Sequence, residues 1–279
     1  MSRTHYDCPI VLTIAGSDSS GGAGIQADIK AISATGSYSC SVITAITSQN
    51  TLGVKAIHQV PLKHIESQLD AVLSDLNVVA VKVGMLVDSN TIKLVADKLR
   101  QYRPNYLILD PVMVSTSGHI LLEYSAIAAL KEALIPLADI VTPNLPESAA
   151  LTGMREPTMD SQVEDIIEPL RQLGCKAVLL KGGHMESSSS SSDLLILRDS
   201  VEWLCSSRYA TNNTHGTGCT LSSAIASYLA QGYTLHKAVH LSKQYISQAI
   251  AHSGKLNVGK GKGPVHHFFD GHADIRGGH

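Results

Sequence analysis

Six short runs of aliphatic, β-branched residues recur along the chain, and they restrict the fold more than any other feature. They are PIVLTIAG (9–16), CSVITAIT (40–47), VVAVKVG (78–84), YLILD (106–110), DIVTP (139–143) and KAVLLKGG (176–183). Each is nearly all apolar instead of alternating apolar with polar, as expected of strands buried on both faces. Between them lie stretches of helical periodicity, such as IESQLDAVLSDL (65–76) and TIKLVADKLRQY (91–102). Alternating strands and helices imply right-handed crossovers and a mostly parallel α/β sheet with helices on both faces. Two later runs, LLILRD (194–199) and VEWLCS (201–206), lie close enough to form a hairpin, and helices are expected over 217–232 and 234–252.

No linker, compositional break or internal repeat divides the 279 residues, so one domain over 1–279 is expected. A chain of this length buries roughly three quarters of its unfolded surface. Apolar residues make up 44% and aromatic residues 4%, so the core is built from Val, Ile, Leu and Ala. The two phenylalanines are Phe268 and Phe269, so a flat heteroaromatic ligand would be flanked by aliphatic, Met, Pro, His or Tyr side chains. A net charge of -2 gives no footprint for nucleic acid or an anionic membrane. The five cysteines, Cys8, Cys40, Cys175, Cys205 and Cys219, include no C-x-x-C pair, which fits a reducing cytoplasm. The N-terminal apolar run of about six residues is too short for a signal peptide. The serine run Ser187–Ser192 is expected to form a surface loop, either a plain insertion or a lid beside KGGH.

Four motifs carry chemistry. GSDSSGGAGIQAD (16–28) follows a strand and opens a helix. Its glycines superficially fit a dinucleotide fingerprint, but the next strand ends in VITAITS (42–48) with no ribose-binding acid. Position leaves Asp28 open between a solvated helix acid and a ligand group. Gly254–Gly261 comes close to a P-loop, but Gly261 stands where the Mg²⁺-binding hydroxyl is needed and the segment follows a helix. A glycine turn near a nucleotide's base or ribose remains open there.

NNTHGTGCTLSSAIASYLA (212–230) runs small and hydroxyl residues into a clean helix. Its glycines leave the N–H groups of Gly216, Thr217, Gly218 and Cys219 able to converge on an anion, the expected seat of a transferred phosphoryl group. Cys219 reads either as a buried small hydrophobe or, in a first helical turn, as a stabilised thiolate. LDPVM (109–113), TPNLPE (142–147) and LKGGH (180–184) stand at carboxyl ends of expected parallel strands, where open α/β sheets bind ligands. Asp110 and Glu147 suit Mg²⁺ held through waters, and Lys181 suits an ATP phosphate.

Together these segments, with CSVITAITSQNT, KVGML and VGKGKGPVHH, resemble the ribokinase-like superfamily and its hydroxymethylpyrimidine kinase branch, from about Leu12 to Phe268. The resemblance implies a three-layer ribokinase-like fold. It also implies two successive ATP-dependent phosphorylations, of hydroxymethylpyrimidine and then of its monophosphate, in thiamine biosynthesis. It places Asp28 and Gln49 at the pyrimidine's amino and ring-nitrogen edge and Met85 and Val112 against its ring. It sets Asn144, Lys181 and Thr214 on ATP, Asp110 and Glu147 on Mg²⁺, and Gly216 to Cys219 at the transferred phosphoryl group. Cys219 stands where most of the superfamily has an aspartate base, which puts the base role in question. A cytoplasmic homodimer is expected. The rival readings are a pyridoxal kinase and a non-catalytic nucleotide-binding protein of the same fold.

Overall fold

A computed structural model describes residues 8–114, 118, 121–123, 125–182 and 190–270. Nine strands form one sheet: β1 Ile10–Asp18, β2 Tyr38–Asn50, β3 Gly53–Gln59, β4 Val78–Val83, β5 Tyr106–Leu109, β6 Ile140–Val141, β7 Val178–Lys181, β8 Ser190–Ile196 and β9 Val201–Ser207. Their order is β3-β2-β1-β4-β5-β6-β7-β8-β9. The six central strands, β2, β1, β4, β5, β6 and β7, run parallel. β3, β8 and β9 join by antiparallel pairing at the two edges.

The apolar runs are explained by which face each residue meets. Leu12, Ile14, Val81, Val83, Leu107 and Leu109 pack on a core built with α2 (Leu62–Leu73) and α3 (Ser89–Tyr102). Their neighbours Val11, Ala80, Ile108 and Leu179 point the opposite way, onto α1 (Gly24–Ala34), α7 (Thr217–Ala230) and α8 (Leu235–Ala251). Successive side chains on a strand alternate faces, so a strand covered on both sides carries few polar positions. Between α3 and β6 lie a short helix α4 (Ala126–Ala129) and a wider turn over Leu130–Leu134. α5 (Leu145–Thr152) follows β6, and α6 (Asp160–Arg171) covers β7 and β8 from the α2/α3 side with Val163, Ile166 and Leu170. This is the three-layer arrangement expected.

Two local outcomes differ from the sequence reading, and a third settles on a contact the sequence did not specify. β3 is an added edge strand whose half-exposed GVKAIHQ carries no continuous apolar run. The second half of the serine tract, Ser190–Ser192, is not a loop: it extends β8 and pairs with Ser207, Ser206 and Cys205. Backbone hydrogen bonds to a neighbouring strand hold such a segment without apolar side chains. Ser187–Ser189, like Gly183 and His184 of KGGH, lie outside the described residues. Last, the glycine turn that mimics a P-loop is docked on the β2–β3 turn. Lys260 N–H and Gly261 N–H both donate to Thr51 Oγ1 at 3.1 Å, and Lys262 N–H donates to the Thr51 carbonyl at 3.0 Å.

Candidate active site

A cavity of about 1190 Å³ opens along the carboxyl ends of the parallel strands, between β1, β4, β5, β7 and the start of α7. Every candidate residue except Asp28 lines it. A size of this order suits a small molecule together with a nucleotide.

The anion-binding element is built by glycine geometry. Gly216 caps α7 with φ 80°, a left-handed conformation that suits glycine. A Cβ there would collide with the carbonyl of Gly22, so the loop before α1 and the loop before α7 touch at this point. The Thr214 carbonyl accepts from Thr217 Oγ1 at 2.7 Å, which ties the loop to the first turn. Thr217 N–H is already used, donating to the Thr214 carbonyl at 3.3 Å, so the helix start offers the cavity the N–H groups of Gly218 and Cys219, with the positive end of the helix dipole behind them. A Cβ on Gly218 would lie 3.2 Å from Lys181 Nζ and 3.5 Å from Asp110 Oδ2. The helix start therefore directly faces the charged strand-end cluster.

In that cluster Lys181 Nζ donates to Asp110 Oδ1 at 2.8 Å and lies 3.9 Å from Glu147 Oε2. Thr142 Oγ1 adds a second bond to Asp110 Oδ1 at 3.0 Å. Glu147 is fixed by a capping box: its Oε2 accepts from Asn144 N–H and its own N–H donates to Asn144 Oδ1, both at 2.8 Å. Burial pushes the Glu147 carboxyl up to about 7, with the Asp110 charge adding to it against the pull of Lys181. Burial also acts to raise Asp110, but the Lys181 and Lys82 ammoniums outweigh it and hold its carboxyl below the usual range. For Lys181 burial disfavours the charge, yet Asp110 and Glu147 overcome it and raise its pKa.

Gln49, Met85 and His215 belong to a second group. Gln49 Oε1 accepts from Thr47 Oγ1 at 3.1 Å, and its Nε2 is 3.4 Å from His215 Nε2. Met85 packs so close over Gly16 that a Cβ on that glycine would sit 2.9 Å from its sulfur. Val112 follows Asp110 on the same wall. His215 Nε2 bonds Asp18 Oδ2 at 2.8 Å. Burial acts to raise Asp18, but the His215 ring, the Ser20 hydroxyl and the N–H groups of Ser20 and Ala23 outweigh it and hold the carboxyl at about 2.

Two expectations are corrected. Asp28 does not reach the cavity. It is fully buried, with its carboxylate bonded to Lys82 Nζ (2.9 Å to each oxygen), Thr13 Oγ1 (2.6 Å) and Ser223 Oγ (2.7 Å). All its strong acceptor directions are used by the protein, so it supports the site from behind. Of the two readings of Cys219, the catalytic thiolate is the one its surroundings oppose. Burial pushes the thiol up to about 11, against the helping charge of Lys82 and the N–H that Gly24 donates to the sulfur. Asn144 lines the cavity as expected, but its side-chain oxygen is committed to the α5 cap.

A family model described as phosphomethylpyrimidine kinase matches residues 18–266. The chain belongs to the phosphomethylpyrimidine kinase family. It is 49% identical over 259 residues to the hydroxymethylpyrimidine/phosphomethylpyrimidine kinase of Rhizobium meliloti (strain 1021), covering 93% of this chain and 97% of that protein. The crystal structure of phosphomethylpyrimidine kinase from Clostridium difficile 630 matches with TM-score 0.76 and 46% identity, covering 87% of this chain and 99% of the other. An ADP complex of Bacillus subtilis pyridoxal kinase matches with TM-score 0.86 and 33% identity, over 93% and 97% of the two chains.

For this member of the phosphomethylpyrimidine kinase family, sequence reasoning missed five residues placed at or behind the cavity. Lys82 carried a visible signal, a lone cation inside the otherwise apolar strand VVAVKVG. It is fully buried, and Asp28 holds it charged against the cost of burial, with Cys219 and Asp110 nearby. Asp18 and His215 flank the glycines of their motifs, and only tertiary contact pairs them across 197 residues. Asp193 and Lys243, bonded at 2.6 Å on β8 and α8, also line the cavity, and the helical pattern around Lys243 gave no sign of it.

Proposed function

We propose that this chain transfers phosphoryl groups from ATP to hydroxymethylpyrimidine and then to hydroxymethylpyrimidine phosphate. The observation that carries the reading is the meeting, in one cavity, of the α7 N–H groups with the Lys181–Asp110–Glu147 cluster, in a chain of the phosphomethylpyrimidine kinase family. Phosphoryl transfer is mostly positioning and stabilisation of charge spread over three oxygens. The N–H groups of Gly218 and Cys219 and the Lys181 ammonium are pre-set to receive that charge, so no reorganisation is needed at the moment of transfer. Thr214 and Asn144 line the same cavity, and this reading assigns them to ATP.

The donor set fits Mg²⁺. Two carboxyls meet at Lys181, and burial pushes Glu147 up to about 7, with the Asp110 charge adding to it against the pull of Lys181; a further cation beside them would offset that cost. Asp110 and Glu147 would hold the ion through waters, and when bound it supplies further positive charge against the phosphates. With Asp28 withdrawn from the pyrimidine edge, the amide of Gln49 is the polar group offered to the ring, and Met85 and Val112 give the apolar flanks. Cys219 contributes its backbone N–H and its close fit. A cytoplasmic enzyme, one catalytic unit over the whole chain and assembled as a homodimer, completes the reading.

The test is a coupled ADP-release assay on hydroxymethylpyrimidine, its monophosphate and pyridoxal, with Mg²⁺ and ATP. Pyridoxal is included because pyridoxal kinases share the architecture at TM-score 0.86. Gln49→Leu is expected to raise the KM for the pyrimidine far more than that for ATP. An equal rise in both would remove Gln49 from the substrate edge.

A further inference from the structure

On the side of the molecule where α8 packs on the edge strand β9, three side chains form a chelating set unrelated to the kinase chemistry. His236 and His240 are one helical turn apart in α8, so both rings project from the same face. Their centroids are 4.4 Å apart and their planes differ by 40°. Glu202 of β9 meets them from across the element boundary. Its Oε2 is 2.7 Å from His236 Nε2 and its Oε1 is 2.9 Å from His240 Nε2. All three ligand atoms lie within 4.8 Å of one another. The side chains are 57% (His236), 35% (His240) and 38% (Glu202) exposed, so an ion can enter from solvent.

We propose that Glu202, His236 and His240 form a binding site for a first-row divalent transition ion, with zinc the best-suited occupant. Two imidazole nitrogens and one carboxylate oxygen are a donor set that zinc takes readily, with water completing a tetrahedron. Magnesium and calcium prefer oxygen donors and are excluded by the two nitrogens. The two Nε2 atoms that now point at the carboxylate are the atoms that would take the metal. The ring protons they carry pass to Nδ1 or to solvent, and Glu202 changes from hydrogen-bond acceptor to ligand. The i, i+4 spacing on a regular helix makes the pair rigid before the ion arrives, which lowers the ordering cost of binding.

The consequence is a clamp between α8 and β9. Those elements also wall the kinase cavity, through Ile246 and Ser247 of α8 and Ser206 and Ser207 of β9. An ion bound to the folded state alone stabilises it by mass action.

The full chain, stripped with EDTA and kept in Mg²⁺ buffer, is titrated with Zn²⁺ by calorimetry beside the His236→Ala/His240→Ala double variant and Glu202→Gln. The wild type should bind one equivalent more than the double variant and show a zinc-dependent rise in melting temperature that the double variant lacks. Glu202→Gln, which removes the anionic ligand, should weaken this equivalent by at least about tenfold, the smaller end of the loss seen when even an outer-shell partner is removed. Co²⁺ at the site should give ligand-field bands without a sulfur charge-transfer band, which separates it from binding by the five free cysteines. Kinase turnover with Mg²⁺ and ATP should be unchanged in all three proteins, which certifies their folding. Equal zinc stoichiometry in wild type and double variant, or a sulfur-dominated Co²⁺ spectrum for the extra equivalent, would overturn the proposal.

Discussion

A side chain at Gly218 would stand 3.2 Å from the Lys181 ammonium, in the space the account gives to a phosphoryl oxygen. Gly218→Val should therefore lower turnover by roughly 10²–10³, the usual cost of one preorganised donor in such a site. The melting temperature should change little, because the substituted residue faces a cavity. Unchanged turnover in the folded variant would place the phosphate elsewhere. At Cys219 the position in a first helical turn favours the thiolate, while burial opposes it, and burial wins. A thiol pushed up to about 11 is ionised in only about 10⁻⁴ of molecules at pH 7. Cys219→Ala is accordingly expected to slow the first and second phosphorylations by similar factors in single-turnover measurements. A much larger loss in the first step, where the acceptor is a neutral hydroxyl, would restore a base role for the sulfur.

At the scale of elements, β1, α1, β4 and α7 are tied behind the site by one buried polar group of four: Thr13, Asp28, Lys82 and Ser223. Thr13 and Lys82 are register partners on β1 and β4, facing the two helices that start at the cavity. Removing one partner of a buried pair leaves an uncompensated charge and costs about 3–5 kcal/mol. Asp28→Ala should lose stability on that scale in urea denaturation, and adding Lys82→Met should restore part of it. If the double variant is no better than the single one, the ion pair is not what the site depends on. The same group shows what sequence can carry. The strands β1, β4, β5 and β7 were legible because burial on both faces leaves a nearly all-apolar run. Asp28 was misplaced because helical position does not say whether a side chain points along the helix end or back into the sheet. β3 and the Ser190–Ser192 extension of β8 were missed because edge pairing is held by backbone hydrogen bonds and leaves no apolar pattern.

Across the whole molecule, Asp18 and His215 join the end of β1 to the loop before α7, and their pairing should be visible in global stability. The Asp18 carboxyl is lowered from 3.8 to about 2 by folding. Above pH 3.8 both states are ionised and the stabilisation is fully present. As pH falls through that value the unfolded state binds the proton first, and the benefit is lost by about pH 2. The linked stability is about 2 kcal/mol. Wild type should therefore lose about that much more than Asp18→Asn between pH 5 and pH 2 in denaturant titrations, and parallel curves would show the pair to be energetically silent. The motif glycines, strand-end acids and anion-binding turn were readable because each depends on local chain geometry. The pairs Asp18–His215 and Asp193–Lys243 depend on contacts that only the folded chain makes. Whether this cavity accepts an aminopyrimidine alcohol and ATP is decided by kcat/KM for hydroxymethylpyrimidine against pyridoxal in the same coupled assay. The larger value is expected for hydroxymethylpyrimidine, with further ADP release when its monophosphate is supplied. A larger value for pyridoxal, or no ADP release with either pyrimidine, would contradict it.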